Sequence, residues 1–422
     1  MDRSVPPRLA GMMFLQYFGL GAWVIPLSRY LITSPDAGGL GFKATEVGFI
    51  YTTLAIGGMI GPLFIGVLAD RFYAAEKLLA ALHALMAGLL VAAGAWCATH
   101  AGPSANPADA VGPLFGIMIG VSLATQTTMI LTNVISFRNL TETGNYGYLR
   151  LVGTVGWAIA GILTGWVFRP VSPEPLYVAA ATSAVMAVFA LYLPHTPPKG
   201  VGRSIGEVIG LPAVQLFRDR SFVVFALCLF VGNALNQFYG LFAPAYLADI
   251  GVKLDLGKYG TMGPEVVMTI AQFLEIGCMA AVPLLLRRVG LKPIMVMGLC
   301  GWALRGGLLY LGNVPLVVAV AVPMHGWAFA FFGMMAMVFV DREAPRHLRA
   351  GGQALVAFIA SGPAALLGNI VASRVVLAHR TPNGRDWDAI WLIPFVGYVV
   401  IAVVFVLLFR EPPEREAEHP PA

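Results

Sequence analysis

Charged side chains are scarce. Asp, Glu, Lys and Arg make up 12% of the 422 residues, about half of the roughly 25% found in soluble domains. With 58% hydrophobic residues, that shortage excludes both a soluble globular domain and a disordered chain. Cysteine is almost missing. Cys97, Cys228, Cys278 and Cys300 all sit in apolar segments, which predicts small buried thiols and excludes a disulfide-stapled secreted scaffold. Catalytic patterns are absent too: there is no Gly-rich phosphate loop ending in Lys-Ser/Thr, no His-Glu-x-x-His and no Cys pair at metal spacing. The chain is therefore read as neither an enzyme nor an ATP-driven pump, with no cofactor and no metal.

What is abundant is apolar sequence in runs long enough to cross a bilayer, which takes roughly 20 residues each. Twelve such spans are predicted, at 9–32, 46–69, 77–98, 112–136, 147–169, 175–194, 221–248, 263–286, 292–312, 314–340, 351–376 and 387–409. The first follows Arg3 and Arg8 but is long, carries Gln16 and lacks a small-x-small cleavage site, so it is read as a retained helix rather than a signal peptide. Between the sixth and seventh spans, residues 195–220 are rich in Pro, Gly and basic side chains. They divide the chain into an N-terminal bundle (1–194), a linker (195–220) and a C-terminal bundle (221–410), with a polar, Pro-rich tail (411–422) expected to be disordered. The expected fold is an all-α membrane protein of two six-helix bundles.

The net charge of +5 is read as topology, not as nucleic-acid affinity. With the N-terminus placed in the cytoplasm, 17 of the 27 Lys and Arg fall on the cytoplasmic side, 8 fall outside and two, Arg150 and Arg305, fall within spans. That bias predicts both termini inside and an even number of helices. The halves also echo one another: short basic turns at Arg71 and Arg288, 217 residues apart, each join two helices on the same side. Two parallel halves joined by a basic cytoplasmic linker are the architecture of major facilitator transporters.

Ionisable and amide side chains inside spans are costly, and they persist where they face protein or a watery cavity. Arg150, Thr154 and Trp157 follow one another at i, i+4 and i+7, on one helix face. Together they offer a permanent cation with five donors, a hydroxyl and a flat aromatic surface. Snorkelling of Arg150 to headgroups is the competing reading. Gln272 and Glu275 share a face of the eighth span, Asn236 and Tyr239 one of the seventh, and His325 and Phe329 one of the tenth. The competing readings are Glu275 as a carboxylate paired to Arg305 as structural glue, and the amides as interhelical hydrogen bonds. Gln16, His83, Gln126 and Asn133 are read as interhelical packing, and the Gly57-Gly58 to Gly61 stretch as close helix approach.

The stretch Gly66-Val67-Leu68-Ala69-Asp70-Arg71 resembles the G-x-L-A-D-R signature of the major facilitator superfamily, and the resemblance gives Asp70 and Arg71 a gating role. A narrower resemblance, to the nucleoside:proton symporter family, covers nearly the whole chain. It is carried by FLQYFGLGAW (14–23), RLVGTVGW (150–157), QFLEIG (272–277), RRVGLK (287–292), WALR (302–305), HGWAFAFF (325–332) and DWDAIWLIP (386–394). That resemblance implies a secondary transporter that imports nucleosides by alternating access in the cell membrane of a bacterium. It gives Arg150, Thr154, Trp157, Asn236, Tyr239, Gln272 and Glu275 as substrate contacts, with an amide expected where this chain has Tyr239; His325 and Phe329, on one face of the tenth span, are read as further substrate contacts. The family also has an acidic residue where this chain has Ala330, so Glu275 or His325 becomes the candidate proton carrier, unless transport here is not proton-driven. The implied partners are a nucleoside, a proton and the lipid bilayer. A transporter of sugars or other small polar solutes, and a membrane sensor without net flux, are the alternatives.

Overall fold

Apolar runs of this length can satisfy their backbone polar groups in hydrocarbon only as helices or closed barrels. The computed structural model shows helices. It describes all residues except 1–4, 72, 102–106, 141–145, 169, 199–204, 209–210, 256–260, 346–347, 383 and 412–422, together with the side chains of 63–71, 107, 205, 208, 254–255 and 350. In chain order the long helices are α1 (Val5–Ile32), α2 (Ala44–Arg71), α3 (Ala75–Thr99), α4 (Ala108–Asn139), α5 (Tyr146–Val167), α6 (Glu174–Ala190), α7 (Arg220–Asp249), α8 (Pro264–Val289), α9 (Leu291–Leu311), α10 (Val314–Glu343), α11 (Gly351–Ala378) and α12 (Trp387–Leu408). Ten of them are long and apolar enough to cross a membrane. The other two are α2, with 28 residues, and α6, with 17. Two-residue antiparallel ribbons precede α8 (Leu254–Asp255 with Thr261–Met262) and α12 (Arg380–Thr381 with Gly384–Arg385).

The two halves are tied off in the same way. At the start of α3, the Ala75 amide donates to the Thr196 carbonyl at 3.0 Å, and the Glu76 carboxylate accepts from the Thr196 amide at 3.0 Å and pairs with His195 Nδ1 at 2.8 Å. At the start of α9, the Leu291 and Lys292 amides donate to the Glu411 carboxylate at 2.8 and 3.2 Å, while Lys292 Nζ donates to the Phe409 carbonyl at 2.6 Å. In each case the orphan amides of a helix N-terminus are satisfied by the segment that follows the sixth helix of that half. The internal echo in the sequence thus has a counterpart in hydrogen bonding.

The linker is less open than its composition suggests. Leu211–Arg218 forms a 3₁₀ helix whose Ala213 and Leu216 are buried in the C-terminal core, and Asp219 caps α7 by accepting from the Phe222 amide at 2.9 Å. One thiol also departs from expectation: Cys97, Cys228 and Cys278 are buried, but Cys300 is exposed on α9. All four are free.

The apolar core is divided in an informative way. At the end of the molecule opposite the termini, one continuous cluster joins Leu27, Val47, Leu90 and Leu114 to Phe238, Tyr246, Leu309 and Trp391. Toward the end that carries the termini, the core separates. One cluster (Leu9, Met13, Leu79, Leu131, Met186) belongs to the N-terminal half, and another (Phe225, Leu299, Phe332, Phe339, Phe405) belongs to the C-terminal half. The halves are therefore fused at the distal end.

Polar bonds reinforce that fusion. Arg29 of α1 donates to both oxygens of the Glu265 carboxylate in α8, at 2.9 and 3.0 Å, and the Gly263 amide donates to the Gly165 carbonyl at 2.9 Å. A Cβ at Gly48 of α2 would sit 2.5 Å from the Ser373 Cβ of α11, so only glycine allows those two helices to close. Glu265 is fully buried, whereas the carboxylate of the other distal pair, Asp249 with Arg385, is 38% exposed. Removing one partner of a buried pair strands a charge, but the same change near water costs little. Arg29→Ala is therefore expected to lower the melting temperature of the detergent-solubilised protein well below that of Arg385→Ala. Equal losses in the two variants would contradict this reading of the distal seal.

Candidate functional site

The predicted site residues fall on five helices. On α5, the Arg150 guanidinium lies 4.2 Å above the Tyr17 ring of α1, and its NH1 is buried without a hydrogen-bond partner. It therefore points into the protein rather than snorkelling outward. One turn on, the Thr154 hydroxyl donates to the Arg150 carbonyl at 3.3 Å. Among the described residues, no group donates to its oxygen. Trp157 is half-buried beside α1, where a Cβ on Gly21 would come within 3.3 Å of its ring.

On α8, Glu275 is 7% exposed, and Gln272 is half-buried one turn earlier on the same face. Glu275 lies within electrostatic reach of Arg150 across the boundary between the halves, and Tyr17 lies within reach of both. No hydrogen bond closes the Arg150–Glu275 pair among the described residues. The α8 backbone is approached closely by α10: a Cβ on Gly326 would sit 2.9 Å from the Glu275 Cβ. His325 is thereby held next to the turn that carries Glu275.

The alternative pairing of Glu275 with Arg305 is not what the structure shows. Arg305, 1% exposed in α9, donates to His325 Nδ1 of α10 at 2.8 Å, to Asn236 Oδ1 of α7 at 2.8 Å and to the Tyr398 hydroxyl of α12 at 3.2 Å. Its guanidinium also lies 4.3 Å above the Tyr239 ring, which stacks on His325 with centroids 5.2 Å apart and planes 18° apart. The reason is positional. The side of α9 that carries Arg305 faces α7, α10 and α12, so the cation is neutralised by acceptors and π faces within its own half. Tyr239 is buried, and its hydroxyl has no partner. It supports His325 and Arg305 from behind. Phe329 is 37% exposed at the start of a π-helical turn, while the adjacent Ala330 is fully buried.

The side chains of Asp70 and Arg71 lie outside the described residues, although α2 ends at Arg71. The remaining polar groups bridge helices. Gln16 donates to Thr128 at 3.1 Å and accepts from His83 at 3.0 Å, Gln126 donates to the Leu54 carbonyl at 3.3 Å, and Asn133 accepts from Tyr146 at 2.7 Å. Among the described residues, no group of three His, Cys, Asp or Glu side chains is placed to hold a metal ion. Two cavities of about 420 Å³ flank Arg29 at the distal end, and none of the nine predicted contacts lines either one. They lie beyond the seal formed by Arg29 and Glu265.

Sequence reasoning missed Tyr17, Tyr398 and the Arg29–Glu265 pair. Tyr17 sits in a stretch that carries the family resemblance, yet nothing in its spacing marks it as a platform for an arginine 133 residues away.

Comparison with known proteins agrees with this architecture. The profile of the family described as "Nucleoside H+ symporter" matches residues 3–414. YegT of Escherichia coli (strain K12), named a nucleoside transporter, is 33% identical over 96% of this chain and 93% of its own length. The xanthosine permease of the same organism is 28% identical, with 96% of each chain covered. A crystal structure of the nucleoside transporter NupG, in mutant form, superposes with a TM-score of 0.84 at 26% identity, covering 96% of this chain and 99% of that one. A D-xylose-proton symporter superposes with a TM-score of 0.67 at 14% identity, a likeness of fold alone. The chain is a multi-pass membrane transporter, not an enzyme, and belongs to the nucleoside:proton symporter family.

Proposed function

We propose that the chain imports nucleosides together with protons by alternating access, with the substrate held between Arg150 of the N-terminal half and Glu275 of the C-terminal half. The observation that carries this reading is the buried, unpartnered NH1 of Arg150, with the buried Glu275 of the other half within its electrostatic reach and no hydrogen bond between them among the described residues. An arginine with a buried, unpartnered N–H is an unsatisfied donor. Nucleoside hydroxyls and base carbonyls supply acceptors, and Trp157 supplies a face for stacking. In this reading α2 and α6 complete a twelve-helix domain of two six-helix bundles. The termini lie in the cytoplasm of a bacterial cell, Asp70 and Arg71 gate that face, and no nucleic acid is bound.

The divided core supports an inward-facing state, sealed distally through Arg29–Glu265 and parted toward the cytoplasm. Coupling follows from competition for Arg150. An ionised Glu275 attracts the guanidinium and draws the halves together, whereas a protonated Glu275 releases it to the substrate. Proton and nucleoside then favour one another's binding, as symport requires. Glu275 suits this role better than His325, whose Nδ1 lone pair already accepts from Arg305.

Two outcomes test the reading. Glu275→Gln in proteoliposomes is expected to abolish uridine accumulation driven by a pH gradient while leaving uridine exchange intact; undiminished accumulation would remove Glu275 from coupling. Trp157→Ala is expected to weaken uridine binding by about 1–3 kcal/mol, the range measured for base–aromatic stacking. An unchanged dissociation constant would show that no base stacks there.

A further inference from the structure

A guanidinium has five N–H groups and no acceptor. Whatever lies at hydrogen-bonding distance from Arg305 must therefore turn an acceptor toward it. At His325 this requires a bare Nδ1, which puts the ring proton of the neutral imidazole on Nε2. At Asn236 it requires the carbonyl oxygen, which turns the amide NH2 away. Neither residue is free to rotate out of this arrangement. The imidazole is stacked on Tyr239, and Tyr239 is itself held under the guanidinium. Arg305 is sealed from solvent, but Asn236 and His325 keep accessible surface. Among the described residues, neither Asn236 Nδ2 nor His325 Nε2 has a protein partner. The imidazole Nδ1 and the amide oxygen are both turned toward one buried cation, and what the two side chains turn away from it are donors.

We infer that Arg305, without touching the substrate, determines which bases are accepted by fixing Asn236 and His325 as donors. A base edge that presents a carbonyl oxygen satisfies them. An edge that presents an exocyclic amino group at the same position brings N–H against N–H and leaves the donors unpaired in a desolvated site, where unpaired polar groups are costly. The selected class is nucleosides with a keto group at the base position that distinguishes uridine from cytidine and inosine from adenosine. Each pair exchanges that keto group for an amino group, and with it the neighbouring ring N–H for a bare ring nitrogen, and is otherwise nearly the same size. The inference rests on the nucleoside reading above.

The test is initial uptake of uridine, cytidine, inosine and adenosine by the full chain in proteoliposomes under one proton gradient. The keto member of each pair is expected to be preferred by about tenfold or more in kcat/KM, since sites built to hydrogen-bond one group reject the analogue lacking it. Asn236→Asp, checked for folding by monodispersity, turns an oxygen outward in place of the amide NH2 and is expected to shift the ratio toward cytidine and adenosine. Arg305→Lys, whose single ammonium cannot span both acceptors, is expected to shrink the preference by freeing Asn236 and His325 to rotate. Equal rates within each pair, a preference for the amino member or an unchanged ratio in folded Asn236→Asp would overturn the inference and leave nucleoside transport standing. Uptake of none of the four would overturn both.

Discussion

A guanidinium keeps its charge at any physiological pH, and hydrocarbon cannot hydrate it. Arg150 and Arg305 each lie within a membrane-spanning helix, and the protein treats them in opposite ways. Arg305 is fully solvated by protein: three acceptors on α7, α10 and α12 and the face of Tyr239 take the place of water. Arg150 lies against Tyr17, over its ring and in reach of its hydroxyl, and within electrostatic reach of Glu275, while its NH1 is left without a partner among the described residues. The first arginine organises its half into a fixed surface. The second stays chemically incomplete, which is the property a binding residue needs.

The distribution of seals along the molecule complements that contrast. Where the halves meet at the distal end, a buried bidentate ion pair, a backbone hydrogen bond and a close glycine contact act together with a continuous apolar core. Toward the termini, each half keeps its own core and its own hydrogen-bonded tie between the third helix and the segment after the sixth. In the proposed reading, such halves move as bodies about the sealed end. Among the described residues, three helices carry π-helical turns: Leu163–Val167 in α5, Val317–Ala321 and Phe329–Gly333 in α10, and Ala360–Ala364 in α11. In α10 and α11, Pro323 and Pro363 lie close to these turns, where a missing N–H weakens the regular ladder.

Much of this was legible in the residues. Long apolar runs bounded by Gly, Pro and charge placed the helices to within a few positions, because a span has a minimum length and an interrupting charge ends it. Arg150, Thr154 and Trp157 were recognisable as one face because helix periodicity is local. What stayed hidden depends on which helices become neighbours. Arg305 looked like a partner for Glu275, since both are ionisable groups at depth, but the packing of α9 against α7, α10 and α12 gave it to Asn236 and His325 instead. Arg29 and Glu265 lie 236 residues apart, so no spacing connects them. The docking of Leu216 and the exposure of Cys300 are likewise properties of the assembled surface.

The most direct measurement is a structure determined with uridine bound. The account requires the nucleoside between the two halves, within hydrogen-bonding distance of both Arg150 and Glu275 and with its base toward Trp157. A nucleoside held by one half alone, or in the distal cavities beside Arg29, would contradict it.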